Sequence, residues 1–144
     1  MQSVSDTVSI NAPVSSVFAA LADPEVQIRY DGEMFKTVEK LSPGPIGPGT
    51  RFRGRFKGMG NVEYSYDEFV DNQLIQHAVK MPFGAASHRF EFRPDTDGTT
   101  LAQSISLRPN LLGKIMWPLV MKRMMTERVR TLNRLVKGYV EPAT

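Results

Sequence analysis

The chain of 144 residues contains no cysteine. This absence excludes disulfide bonds, thiolate nucleophiles and cysteine metal sites. It is the composition that a reducing compartment favours, so we predict a cytoplasmic protein. A chain of this length can bury one hydrophobic core, and residues 1–144 are therefore expected to fold as a single domain.

Long apolar runs are also missing. The longest, LLGKIMWPLVM, has eleven residues and includes Lys114, whereas a membrane-spanning helix needs about 20. The stretch MQSVSDTVSI at the N-terminus has neither a basic region nor an apolar core, so we expect no signal peptide. The sequence therefore predicts no transmembrane segment.

Acidic residues are scarce in one part of the chain. Residues 114–140 contain seven basic residues and a single acid, Glu127, which gives this segment a charge of +6 within a total of +3. The remaining residues therefore carry −3. Because the basic character belongs to one helix and not to the whole surface, we do not expect nucleic acid as a partner.

Histidine is scarce as well, since His77 and His88 are the only two. A metal site needs three or four ligands, and no cluster of carboxylates accompanies this pair. The chain also has no nucleotide-binding fingerprint, so we expect neither a metal nor another cofactor. No serine lies in a G-x-S-x-G motif, and no two acids have a recognisable catalytic spacing. The sequence leaves open whether the protein is an enzyme.

The chain does contain a regular succession of elements. Apolar and polar residues alternate over residues 3–11, which predicts a strand. Two short helices follow, one started by Pro13 and one by Asp23-Pro24 that ends near Tyr30. Six strand-like segments separated by glycine, proline and Asp/Asn turns come next, before a long final helix. This order predicts an α+β fold with an antiparallel sheet of about seven strands.

The final predicted helix extends from Trp117 to Val140 and buries one face. At roughly 100° per residue its apolar side chains fall within an arc about 120° wide, and basic side chains lie opposite. Arg128 breaks this pattern because it falls inside the apolar arc, where an unpaired guanidinium is costly.

Three alternatives follow for Arg128: it pairs with a buried acid, holds an anionic ligand, or extends its side chain to solvent. The expected internal partner is Glu68, which shares the strand alternation of Tyr64 and Tyr66. A bulge near Phe69 would instead turn Glu68 outward.

Four segments of the sequence carry a family resemblance. VSINAPVSSVFAALADPE, GPGTRF, YSYDEFVDNQLI and HRFEFRPDTDGTTLAQSISLRP resemble the opening, the third-strand entry, a middle strand pair and the final hairpin of the START-like, or SRPBCC, superfamily. The resemblance is to its polyketide cyclase/dehydrase-like branch and covers nearly the whole chain. It implies a helix-grip fold, in which a curved antiparallel sheet holds the C-terminal helix over a cavity.

The resemblance implies that this cavity binds a small, largely apolar or amphipathic molecule, such as a lipid, a polyketide or an aromatic compound. Methionines and Phe90 are expected to form apolar wall, while tyrosine, histidine and glutamine orient polar groups. Arg128 is expected to hold a carboxylate or enolate oxygen. The candidate pocket residues are Tyr64, Tyr66, His77, His88, Phe90, Gln103, Met121, Met124, Met125 and Arg128.

Each candidate also has a purely structural interpretation, as a core aromatic, a core methionine or a hydrogen-bonded buried histidine. Two other functions remain open. One is a cyclase- or dehydratase-like enzyme that uses acid/base groups of the cavity. The other is an interaction module that uses the basic face of the C-terminal helix. The oligomeric state is expected to be a monomer or a homodimer.

Overall fold

A computed structural model describes residues 1–142 of the chain. Its elements follow the predicted order, with one strand, two short helices, six further strands and a C-terminal helical segment. The bounds are β1 (Gln2–Ile10), α1 (Val14–Ala22), α2 (Pro24–Asp31), β2 (Phe35–Lys40), β3 (Arg51–Phe56), β4 (Gly60–Val70), β5 (Leu74–Met81), β6 (Gly84–Asp95), β7 (Gly98–Pro109), α3 (Leu111–Met116), a π-helical turn (Trp117–Met121) and α4 (Lys122–Val140).

The seven strands form one antiparallel sheet in the order β1-β7-β6-β5-β4-β3-β2. Consecutive strands from β2 to β7 are neighbours, and turns of two or three residues join them except between β2 and β3, where residues 41–50 form the connection. β1 returns to pair with β7, residue by residue from Gln2 with Leu107 to Ile10 with Thr99. The predicted α+β fold with a seven-stranded antiparallel sheet and a long C-terminal helix is confirmed.

The C-terminal helix starts earlier than its predicted first residue, Trp117. Asn110 caps α3, since its Oδ1 accepts a hydrogen bond of 3.0 Å from the backbone N–H of Gly113. Pro118 then interrupts the α-helical ladder, because it lacks an N–H and its ring collides with the preceding turn. The chain accommodates this in the π-helical turn and continues as α4.

Two groups of buried side chains stabilise the fold. The larger is rich in aromatic rings from the sheet and α1, and Leu132 and Val136 of α4 pack against it. The smaller joins the ends of β1 and β7 to Trp117, Met121 and Met125. A helix that contacts both groups covers the sheet along its length, and the space left between helix and sheet lies where the two groups meet.

Candidate functional site

A pocket of about 400 Å³ lies between the covered face of the sheet and α4. Most of its wall is apolar, with side chains from β2 to β7, the β5–β6 turn and α4. Seven candidate residues from the sequence line it: Tyr64, His77, His88, Phe90, Met124, Met125 and Arg128.

Three further candidates, Tyr66, Gln103 and Met121, are not in this wall. Tyr66 is fully buried, and its hydroxyl donates a hydrogen bond of 2.8 Å to the backbone carbonyl of Ala22. Gln103 is buried in a polar network behind the wall. Met121 packs with Trp117 in the smaller buried group. Alternation along a strand identifies the inward side but does not distinguish pocket wall from packed core.

The two histidines are direct cross-strand neighbours on β5 and β6, with ring centroids 5.8 Å apart. The His77 ring also packs against those of Tyr64 and Tyr66, with centroid distances of 5.0 and 4.9 Å. Its Nε2 atom is buried and has no hydrogen-bond partner within residues 1–142. An unpaired buried polar atom costs about 1–3 kcal/mol, so the unpaired Nε2 atom of His77 lowers the free energy of unfolding.

A chain of hydrogen bonds fixes the tautomer of His88. The Asp6 carboxylate can only accept, so the Asn133 amide donates to it at 2.9 Å and presents Oδ1 as an acceptor. Gln103 therefore donates Nε2–H to that oxygen at 2.7 Å and offers Oε1 to His88 Nε2 at 2.6 Å. A bond from Gln103 Nε2 to the Val129 carbonyl, 3.3 Å, agrees with this orientation. His88 is thus protonated on Nε2, and its Nδ1 is an acceptor when the ring is neutral.

Burial keeps both imidazoles neutral at physiological pH. Removal from water lowers the pKa of His77 well below its usual range, and the neighbouring His88 and Arg128 lower it further. Burial likewise lowers the pKa of His88 to about 4, although the hydrogen bond with Gln103 opposes the change. Burial also raises the pKa of the Tyr64 phenol, so that its hydroxyl stays protonated. His77, His88 and Tyr64 are therefore uncharged polar groups of the pocket wall.

One ion pair of the pocket wall is buried, whereas Glu33, Lys57 and Glu127 of the same wall are exposed. Arg128 of α4 binds both oxygens of Asp31 at the end of α2, at 2.8 and 2.6 Å. The Asp31 side chain is only 1% exposed and that of Arg128 17%. Gln27 donates a further hydrogen bond of 3.0 Å to Asp31. The internal ion-pair alternative for Arg128 is thus the one that the structure adopts.

The prediction that Arg128 pairs with Glu68 was wrong. The pairing of β4 with β5 shifts register between Tyr66 and Glu68, so a bulge at Asp67 reverses the alternation beyond it. Phe69 turns inward and stacks on Tyr66, with ring centroids 5.6 Å apart. Glu68 turns outward and pairs with Arg89 at 2.7 Å.

Sequence reasoning missed Asp31 and Asn133. A signal existed for Asn133, which follows Val129 by four residues and precedes Val136 by three, and so belongs to the edge of the apolar stripe. No pattern indicated Asp31, because α2 is short and mostly polar. Additional apolar wall residues, such as Val62, Val79 and Ala86, continue the alternations of Tyr64, His77 and His88 and could have been found that way.

Within residues 1–142 no three histidine or acidic side chains lie close enough together to hold a metal ion. Over the same range, no helix combines the length and the apolar character that crossing a bilayer requires.

Solved structures share this architecture at low sequence identity. The crystal structure of Ara h 8.0201 superimposes with a TM-score of 0.77 at 14% identity, covering 96% of this chain and 97% of that one. The protein TTHA0849 from Thermus thermophilus gives 0.73 at 22% identity, with 96% and 97% covered. The Aha1 dimer from Colwellia psychrerythraea gives 0.74 at 12%, with 98% and 97% covered. These similarities show a common fold.

No curated protein matches the sequence significantly. The family described as polyketide cyclase / dehydrase and lipid transport, in contrast, matches residues 1–141. That match covers almost the whole chain and agrees with the strand order, the C-terminal helix and the resemblance found in the sequence. The chain belongs to the polyketide cyclase / dehydrase and lipid transport family.

Proposed function

We propose that this protein binds a small, largely apolar molecule that carries a hydroxyl or similar polar group in the pocket between the sheet and α4. The observation that carries the proposal is the unpaired Nε2 of His77 in the wall of a mostly apolar pocket. Pockets of about 300–1,000 Å³ with apolar walls and a few polar groups are typical of small-molecule sites. The volume of about 400 Å³ lies in this range.

The apolar part of the ligand would contact rings and methionines. Phe35, Phe56 and Phe90 line the sheet side, and Met124 and Met125 line the helix side. Methionine side chains are flexible and polarisable, so they adapt to ligands of different shape. A wall of this kind would select ligands by size and apolar character more than by exact shape.

The polar part of the ligand would contact the histidines. Nε2 makes no hydrogen bond that holds the His77 ring, so a ligand hydroxyl would be reached by rotation about χ2, a torsion that is broad for histidine, against the neighbouring rings. A hydroxyl both donates and accepts, and it therefore suits either tautomer of His77. The charge of the Arg128 guanidinium is already neutralised by Asp31, so a neutral ligand fits better than a carboxylate.

Binding is supported more strongly than turnover. A general base works best when its pKa is close to the working pH, and His88, with a pKa of about 4, is a weak base at neutral pH. The pKa of His77 is lowered too. The cyclase- or dehydratase-like alternative would need a group poised near neutrality, and neither histidine meets that requirement.

The test is displacement of an environment-sensitive apolar dye by two matched competitors, 2-naphthol and 2-methoxynaphthalene. We expect the hydroxyl compound to bind about five- to tenfold more tightly, since one net hydrogen bond is worth about 1–1.5 kcal/mol. His77→Phe should remove this preference and keep dye binding. Ala86→Phe, which fills the pocket, should abolish dye binding. Absence of stoichiometric dye binding, or dye binding that Ala86→Phe leaves unchanged, would refute the proposal.

A further inference from the structure

The outer side of the helical segment before α4 is unusually apolar. Six of the ten exposed large apolar side chains in residues 1–142 lie within residues 111–124. Leu111 is 76% exposed, Leu119 71% and Ile115 55%. We call this set the α3 apolar surface, and it consists of Leu111, Leu112, Ile115, Leu119, Val120 and Met124.

The exposure follows from how closely the segment is held to the sheet. Only every fourth residue is buried here, namely Gly113, Trp117 and Met121. A Cβ atom on Gly113 would lie 2.1 Å from the Phe83 carbonyl oxygen, so the helix backbone itself contacts the β5–β6 turn. With such a narrow buried stripe, the remaining side chains have no protein surface to cover them.

The charged residues in the stretch of chain that carries this surface are basic. No acidic residue occurs between residues 98 and 126, whereas Arg108, Lys114, Lys122 and Arg123 are all exposed there. Within residues 1–142 the first three form no ion pair, and Arg123 has only a surface contact of 3.6 Å with Glu127. Apolar side chains flanked by cations, three of them without an ion pair among residues 1–142, match an anionic bilayer, which offers acyl chains and negative head groups together.

We propose that the α3 apolar surface docks this protein reversibly onto anionic lipid bilayers. A second copy of the chain fits less well, because docking two such surfaces would bring like charges together. A nucleic acid offers nothing that would cover the leucines. Met124 belongs both to this surface and to the pocket wall. The docked surface therefore adjoins the proposed ligand site, although docking itself does not depend on that site.

The experiment is sedimentation of the full chain with sucrose-loaded vesicles. One set consists of phosphatidylcholine alone, and the other contains about one-quarter phosphatidylglycerol. We expect binding to the anionic vesicles only, with a several-fold loss in about 0.5 M NaCl because salt screens surface charge. Leu111→Ser with Leu119→Ser should reduce the partition coefficient at least about tenfold, since both side chains would leave the bilayer. The control Val70→Ser, an apolar residue exposed on another part of the molecule, should have no effect.

A charge-matched pair of variants separates local docking from bulk attraction. Lys114→Gln with Lys122→Gln should lower binding about tenfold or more, at the usual contribution of a basic residue near an anionic surface. Arg130→Gln with Arg134→Gln changes the net charge equally on exposed positions of α4 and should have little effect.

Three results would overturn the proposal. They are absence of binding to anionic vesicles, equal losses in the two charge-matched variants, and binding that the leucine variants leave unchanged. Concentration-dependent dimerisation that the leucine variants abolish would also overturn it, in favour of a second copy. Dye binding in the pocket should be normal in every one of these variants, so the ligand proposal and the docking proposal can fail separately.

Discussion

Arg128 and Asp31 connect two helices across 97 residues of sequence and close one side of the pocket. Both groups are largely removed from water, and each satisfies the other through two hydrogen bonds. A buried pair of this kind adds little over apolar packing, but removal of one partner leaves an isolated charge. The pair therefore acts mainly as a specific link between α2 and α4.

Replacement of one member should be far more damaging than replacement of both. We expect Arg128→Met to lower the free energy of unfolding by about 3–5 kcal/mol, because the Asp31 carboxylate stays buried without its partner. The double variant Arg128→Met, Asp31→Leu should recover much of that loss. Urea unfolding of the two single variants and the double variant measures the coupling.

The exposed pair of Glu68 and Arg89 provides the control. Glu68→Gln should change stability by no more than about 1 kcal/mol, as is usual for surface ion pairs. If Arg128→Met lowered the free energy of unfolding as little as Glu68→Gln, the buried ion pair would not be the link between α2 and α4.

His88 gives the protein a pH-dependent stability. Its pKa falls from 6.5 to about 4 on folding, so between these values the unfolded chain binds more protons and unfolding becomes easier as pH falls. The stability that depends on a neutral His88 is fully present above about pH 6.5 and is lost as the pH decreases toward 4. At about 1.4 kcal/mol per pKa unit, the loss is about 3 kcal/mol.

Unfolding of His88→Gln from pH 8 down to pH 4.5 tests this dependence. Glutamine can still donate to Gln103 Oε1 but does not titrate, so its stability curve should be flatter than that of the unchanged protein by about this amount. Carboxylates common to both proteins cancel in the difference. Parallel curves would show that His88 is not protonated differently in the folded and unfolded states.

At the scale of elements, α3 and α4 respond oppositely to the same substitution. In α3, Gly113→Ala places a Cβ against the Phe83 carbonyl, at 2.1 Å, and against Pro109, at 2.8 Å, so the helix must move. In α4, Gly138 is exposed and has open space around its Cβ position. Gly113 thus allows close approach of two backbones, whereas Gly138 only weakens its helix.

We expect Gly113→Ala to destabilise the fold by about 1–3 kcal/mol or more, as overpacking does. Gly138→Ala should stabilise it by about 0.5–1 kcal/mol, the difference in helix propensity between the two residues. Thermal unfolding of both variants gives the comparison. A neutral Gly113→Ala would mean that α3 is not held tightly against the β5–β6 turn.

At the scale of the whole molecule, the pocket joins the sheet to the helices that cover it. Its wall takes side chains from α2, α4 and six of the seven strands, so a bound ligand would contact most of the fold at once. A ligand that binds only the folded state shifts the unfolding equilibrium by mass action. Ligand binding in the pocket should therefore raise the free energy of unfolding of the whole chain.

With 2-naphthol at about 100 times its dissociation constant, we expect about 2.7 kcal/mol of stabilisation. For a chain of this size that corresponds to a rise in Tm of roughly 5–10 °C. Differential scanning calorimetry at several ligand concentrations tests it, and Ala86→Phe should show no rise. A ligand that displaces the dye but leaves Tm unchanged would have to bind the folded and the unfolded chain equally, which would contradict a site formed only on folding.

Much of the architecture was predictable because local patterns carry it. Alternating residues and turn chemistry predict the strands of the antiparallel sheet, and a stripe of period 3.6 predicts the long helix. These patterns depend on neighbours a few residues apart, which the sequence displays directly. The same logic identifies the inward residues of β4, β5 and β6, and with them Tyr64, His77 and His88.

What the sequence determined by itself was that Arg128 lies on a buried face and needs a partner there, because helical period and the cost of an unpaired charge are local properties. Which acid meets Arg128 depends on how distant segments pack together. One extra residue at Asp67 turns Glu68 to the surface, and the path of the chain brings Asp31 from the end of α2 to the guanidinium. A one-residue bulge reverses every side chain beyond it, and an approach between distant segments depends on all the packing between them. Neither is encoded in any short window of sequence.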